Sequence, residues 1–134
     1  MNRLKLISAV QQSAMLYGYN FRTLASDALA AQSPQMPAAL LCEPKFHSIV
    51  GRNHGRITYQ ITLHLLSCGK GLNPEQRSER LSTLQQHVLH IFSHMSESSD
   101  VAIVRELVIL PTANTIVGRG EIGVEATALV ETIF

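Results

Sequence analysis

At 134 residues, the chain has the size of one domain (1–134), large enough to bury a core without disulfide staples. Hydrophobic residues make up 46% and charged residues 16%, which excludes a disordered or polyelectrolyte chain, and a formal charge of +1 predicts no general affinity for nucleic acid, so any basic effect must be local. With no Trp, three Tyr and four Phe, stacking platforms for bases are hard to assemble, and no apolar run reaches the roughly 20 residues of a membrane helix. A soluble chain, cytoplasmic when synthesised, is expected.

Residues 2–16 carry Leu4, Ile7, Val10 and Ala14 at helical spacing, with Met15 beside them, so an amphipathic helix of about four turns is predicted, closed by Gly18. Residues 17–37 are the least patterned part. Leu24 to Ala31 has room for short turns of helix before Ser33-Pro34 and Met36-Pro37 break any continuation. A strand is predicted over about Ala38 to Phe46, with Pro44 marking an edge or a bulge. His47 to Gly55, with Gly51, Asn53 and Gly55, reads as a long hairpin tip.

Arg56 to Leu66 gives the clearest strand: Ile57, Tyr59, Ile61, Leu63 and Leu65 alternate with Thr58, Gln60, Thr62 and His64. A long helix starts at Pro74 with Asn73 as its N-cap and Glu75 in its first turn. At 100° per residue, Leu81, Leu84, Val88, Ile91, Phe92 and Met95 gather on one side of it. Two more strands come after it, about Val101 to Leu110 and Ile122 to the end, joined by a hairpin loop over Thr112 to Gly120. The expected fold is α+β: a mainly antiparallel four-stranded sheet packed by an N-terminal helix and a long central helix, in the order α-β-β-α-β-β.

Several patterns touch on chemistry. Gly118-Arg119-Gly120-Glu121-Ile122-Gly123 matches G-x-G-x-x-G, but the residues after it alternate like a strand and leave no room for a crossover helix, so it reads as a glycine-rich hairpin. Ser67-Cys68-Gly69-Lys70 fits S-x-x-K, yet it leaves a strand instead of opening a helix and reads as a turn. Cys42 and Cys68 form no CxxC, and a disulfide between them requires neighbouring strands. His87, His90 and His94 cluster on the long helix beside its apolar stripe; they read as a solvated face, a subunit contact or an adventitious metal site. Lys45, His47, Arg52, His54 and Arg56 gather on the hairpin as a solubilised loop, an arm reaching a neighbouring subunit, or a basic finger for phosphates. No catalytic signature, cofactor motif or dedicated metal set emerges, and nucleic acid is expected by local contact at most.

The order of elements resembles the tail terminator, or tail-completion, proteins of long-tailed bacteriophages and prophages. The likeness is carried by the leading amphipathic helix and by Met36-Pro37-Ala38-Ala39-Leu40-Leu41 ahead of the alternating strand Ile57 to Leu65. Arg80-Leu81-x-x-Leu84-x-x-x-Val88-x-x-x-Phe92 and the two closing strands complete it. It is a likeness of pattern over nearly the whole chain, without a diagnostic motif. The resemblance implies a non-enzymatic virion structural protein: a sheet backed by helices, assembled as a ring of six, capping the tail tube and presenting a surface to the head connector. A second class fits the same pattern: a small ligand-binding or regulatory domain that dimerises through its sheet, with a pocket between helix and sheet.

Overall fold

The computed structural model describes residues 2–24, 35–51, 55–111 and 121–133. They form two helices and six strands: α1 (Asn2–Leu16), β1 (Asn20–Leu24), β2 (Ala38–Cys42), β3 (Lys45–Val50), β4 (Arg56–Ser67), α2 (Pro74–Ser96), β5 (Val101–Pro111) and β6 (Ile122–Ile133). The strands make one mixed sheet in the order β1-β2-β4-β6-β5, with β3 pairing β4 on the same side as β2. The α+β class holds. The four-stranded antiparallel sheet is corrected to six strands, of which β1 lies parallel to β2.

The two differences have separate causes, one in pairing and one in a local break. Asn20–Leu24, in the least patterned stretch and without a predicted element except at Leu24, pairs with β2 as an edge strand, Asn20 opposite Ala38 through Leu24 opposite Cys42. The strand expected over Ala38 to Phe46 is cut at Glu43-Pro44 into β2 and β3, because proline cannot donate to the ladder. The second piece then extends to Val50, so the hairpin tip is shorter than His47 to Gly55. Of the turns expected over Leu24 to Ala31, Leu24 ends β1 and the rest lies outside the described residues, as does the loop over Thr112 to Gly120.

Alternation along β4 sorts the molecule into two faces. Tyr59, Ile61, Leu63 and Leu65 pair in register with Val130, Ala128, Ala126 and Val124 of β6, and all eight are buried against the helices. Leu84, Val88, Ile91, Phe92 and Met95 of α2 enter the same core, as the helical spacing predicts. Asn73 caps α2 in a reciprocal box with Gln76 (N–H···O 2.8 Å and 3.0 Å), satisfying two donors that would otherwise be orphaned.

The buried stripe of α1 is rotated from the expected one. Leu6, Ala9, Val10, Ser13 and Ala14 face the core, while Leu4 and Met15 are exposed. Two residues tie the start of α1 across the sheet: the Asn2 amide donates to Thr132 Oγ1 at 3.0 Å and to the Ile133 carbonyl at 3.1 Å. Arg3 also pairs with Glu43.

Gly18 stops α1 at φ +87°, with its N–H on the Met15 carbonyl and that of Tyr19 on the Ala14 carbonyl. Nothing lies within 4 Å of an added Cβ, so Gly18→Ala probes backbone conformation alone. It is expected to cost about 1 kcal/mol, the left-handed penalty for an L side chain, in a denaturant titration.

Candidate functional site

Three groups of polar side chains stand out: the histidine row on α2, the outer face of the sheet, and the edge formed by β3.

The histidine row is a seam between elements. Of the alternatives for this row, a solvated face does not describe all three residues: His90 is exposed, but His87 and His94 are half-buried, with Tyr19 and Ser13 as their hydrogen-bond partners. The glycine turn at Gly18 delivers Tyr19, whose hydroxyl lies 2.7 Å from His87 Nδ1. Burial pushes the Tyr19 phenol up to about 12, with nearby Arg80 pulling the other way, so the phenol is protonated and donates. Burial, then the neighbouring His90, holds His87 below the usual imidazole value, which suits it as the acceptor. Tyr17 leans against His87 and His90, with ring centroids 6.0 Å and 5.6 Å apart.

Further along, Ser13 Oγ sits 2.8 Å from both the Ala9 carbonyl and His94 Nδ1. Its single proton goes to the carbonyl, so His94 Nδ1–H donates to the hydroxyl. Although a shallow hollow of about 250 Å³ opens beside Ser13, His94 and Glu97, this hydroxyl is spent on its own helix and is not an activated nucleophile. Among the described residues, no three His, Cys, Asp or Glu are placed to share a metal ion.

The outer face of the sheet brings together residues that no sequence motif linked. His64 on β4 stands opposite Glu125 on β6 and Leu40 on β2. Cys42 lies one alternation further along β2, near enough for the Glu125 charge to be felt. Burial, then Glu125, pushes the Cys42 thiol up, against a smaller opposing effect of Lys45. Burial lowers His64, with Glu125 opposing, and among the described residues His64 Nδ1 is enclosed without a hydrogen-bond partner. A protonated thiol and a neutral, unpartnered imidazole do not make a nucleophile–base pair. Cys42 and Cys68 are free thiols. Their strands are neighbours, but Cys42 falls level with Thr62, whereas Cys68 lies beyond the other end of the β2 pairing at Leu66.

His64 and His87 together set a direction for pH dependence. Both have folded values below that of the free side chain, 6.5, so the unfolded chain binds more protons beneath that pH. Stability is therefore expected to be full above pH 6.5 and to fall as acid carries the solution down through the two folded values. Thermal unfolding from pH 7.5 to 5 checks this; the variant with His64→Leu and His87→Asn should show a flatter profile.

The basic hairpin is described in part. Arg52 and His54 lie outside the described residues. Lys45 and His47 are exposed on β3, with His47 Nδ1 3.2 Å from Ser48 Oγ. Arg56 begins β4 and pairs with Glu131 at 3.8 Å, the same carboxylate that meets Arg105 at 3.8 Å. Beside Lys45 and His47, β3 exposes Phe46 (64%), Ile49 (56%) and Val50 (68%). At the opposite edge, β5 exposes Ile103, Val108 and Leu110. An open depression of about 500 Å³ runs between them, with His47 and Gln60 on one side and Glu106 and Val108 on the other.

The S-x-x-K motif takes the turn form expected of it, and the glycine-rich motif is described only at its end. Ile122 and Gly123 enter β6, a strand and not a helix, while Gly118 to Gly120 lie outside the described residues. Ser67 closes β4 and accepts from Arg80 Nη1 at 2.8 Å, while Arg77 Nη1 donates to the Gly69 carbonyl at 2.9 Å, pinning the turn to α2. Among the described residues no helix is long and apolar enough to cross a membrane. No known family model matches this chain, and no curated protein matches it in sequence.

Proposed function

We propose that this chain is a non-enzymatic structural component of a phage-type tail or neck, a ring-forming terminator that caps the tail tube and joins it to the head. One observation carries the reading. Both helices contribute to the main core on one face of the sheet; the other face buries the small cluster of Ala38, Leu40 and Leu66 beside β2, while the β3 and β5 strands keep large apolar side chains in water. Exposed aliphatic and aromatic residues on edge strands are a liability unless another surface covers them. Head-to-tail contacts between copies close into a ring when the rotation permits, and such work requires shape and adhesion more than an active site.

The regulatory-dimer reading has less support. It needs a pocket between helices and sheet, and that space holds Leu41, Leu63, Val88 and Ile91, each at most 1% exposed. The partners implied are further copies of the chain, tail-tube subunits and a head connector. Native mass spectrometry with negative-stain microscopy tests the proposal: a ring, six copies by expectation, supports it. A stable dimer that takes up a small molecule would overturn it.

A further inference from the structure

The turn that closes α1 is tied to α2 through imidazoles. Gly18 turns the chain and delivers Tyr19, which is buried in the main core although it lies one residue before the edge strand β1. Among the described residues, two side-chain hydrogen bonds cross from this part of the chain to α2: Tyr19 Oη with His87 Nδ1 at 2.7 Å, and Ser13 Oγ with His94 Nδ1 at 2.8 Å. Both end on a histidine, yet they answer acid differently.

His94 already donates from Nδ1 to Ser13, so a second proton goes to Nε2 and leaves that bond in place. His87 accepts at Nδ1, so its neutral ring carries its proton on Nε2. The one nitrogen free to take another faces the Tyr19 hydroxyl. Once protonated, that nitrogen is a donor, and the phenol must turn its own O–H away. Among the described residues the Tyr19 hydroxyl has no second partner to receive that proton, and a buried donor left unmatched is costly.

The surrounding charges widen the difference. His90, one turn on, disfavours the His87 imidazolium, and Arg80, two turns earlier, is close enough for its charge to act on Tyr19. Tyr17 covers His87 and His90 with its ring. On α1, Arg3 pairs with Glu43 and Lys5 with Asp100, while β2 offers this core only Ala39 and Leu41. On β1, Arg22 stands opposite Leu40, which belongs to the cluster on the outer face. Glu97 borders the hollow beside His94, in the last turn of α2, where the helix dipole also favours a cation. His94 thus takes a charge in place, whereas His87 does not.

We propose that Tyr19 and β1 form an acid-released latch, in which protonation of His87 at Nδ1 dislodges the Tyr19 hydroxyl and loosens the Gly18 turn and the edge strand, while the Ser13–His94 bond keeps α1 on α2. The opened form, with His87 in water, binds the proton more readily than the closed one, so opening grows as pH falls below 6.5. It uncovers the edge of β2, Ala38–Cys42, with which β1 otherwise pairs. The latch works within one copy of the chain and is independent of the ring reading above.

Amide hydrogen exchange at pH 7.5 and pH 5.0, corrected for the intrinsic effect of pH on exchange, tests it. Amides from Tyr19 to Leu24 should lose protection about tenfold in acid, the factor that one linked proton gives over one pH unit. Those of Leu6 to Ala14 and of Ile61 to Leu65 should change by less. His87→Gln keeps an acceptor for Tyr19 but does not titrate, so it should hold the β1 protection at its pH 7.5 level. His94→Gln should open in acid as the wild type does. Unchanged protection of β1 in acid would overturn the latch, and so would an equal loss across β1 and β4, which is global unfolding. Acid opening that survives His87→Gln, or vanishes with His94→Gln, would overturn it as well. Should the His87 variant fold poorly, the wild-type comparison of β1 with β4 decides alone.

Discussion

A chain carrying Phe46→Glu and Ile49→Glu is expected to stay folded and to lose self-association. Both side chains are more than half exposed, so their replacement removes little buried area from the monomer. The change in unfolding free energy should stay within about 0.5 kcal/mol per site, as for surface positions away from packing. In an assembly of the proposed kind that covers the β3 strand, the same residues lie in the contact. Each glutamate would bury a charge and remove an apolar anchor, and two such losses weaken a contact by roughly a hundredfold at about 1.4 kcal/mol each. Sedimentation velocity and a denaturant titration on one preparation separate the two effects. An unchanged association constant would refute the role of β3, and a collapsed unfolding midpoint would mean that these residues belong to the core.

The division between a helix-covered face and an outer face was partly legible in the residues. Period-two alternation from Ile57 to Leu65 identified the helix-facing side of β4, and the α2 stripe from Leu84 to Met95 identified what covers it. Asn73, Pro74 and Pro44 marked boundaries because capping and the missing proline N–H are local effects. The unread features depend on distant pairing. Asn20–Leu24 becomes a strand only because β2 offers it a free edge. The stripe on α1 turns toward Leu6 and Ser13 because α2 supplies His94 there, a partner 81 positions away in sequence.

The polar sites obey the same rule. The helical wheel correctly grouped His87, His90 and His94, but it held no information that Tyr17 and Tyr19 would fold back onto them. Alternation alone turns His64 and Glu125 outward on their strands. That they stand opposite each other, with Cys42 nearby, depends on the β2-β4-β6 order, which two separate runs of alternating residues do not encode. The side of an element that is buried is written locally; which elements become neighbours is not.

Leu63 and His64 offer the sharpest test of the two faces, because adjacent residues are expected to respond in opposite senses. Leu63 is fully buried beneath the helices, between Leu41 on β2 and Ala126 on β6. Leu63→Ala removes its branched end where two rigid neighbours and α2 limit collapse, so a loss of about 3 kcal/mol is expected, within the range for buried leucines. His64 points the other way, beside the buried Leu40, and among the described residues its enclosed Nδ1 makes no hydrogen bond. His64→Leu removes an unsatisfied polar atom and adds apolar contact, so stability at pH 7 should hold or rise by up to about 1 kcal/mol. Guanidinium titrations at pH 7 and pH 5 measure both variants, and the gain from His64→Leu should be larger at pH 5, where the wild-type imidazole is pressed to take a proton. A comparable loss from both substitutions would mean that the outer face is packed as tightly as the inner one. A sheet packed equally on both sides would have no open surface left with which to bind its own copies.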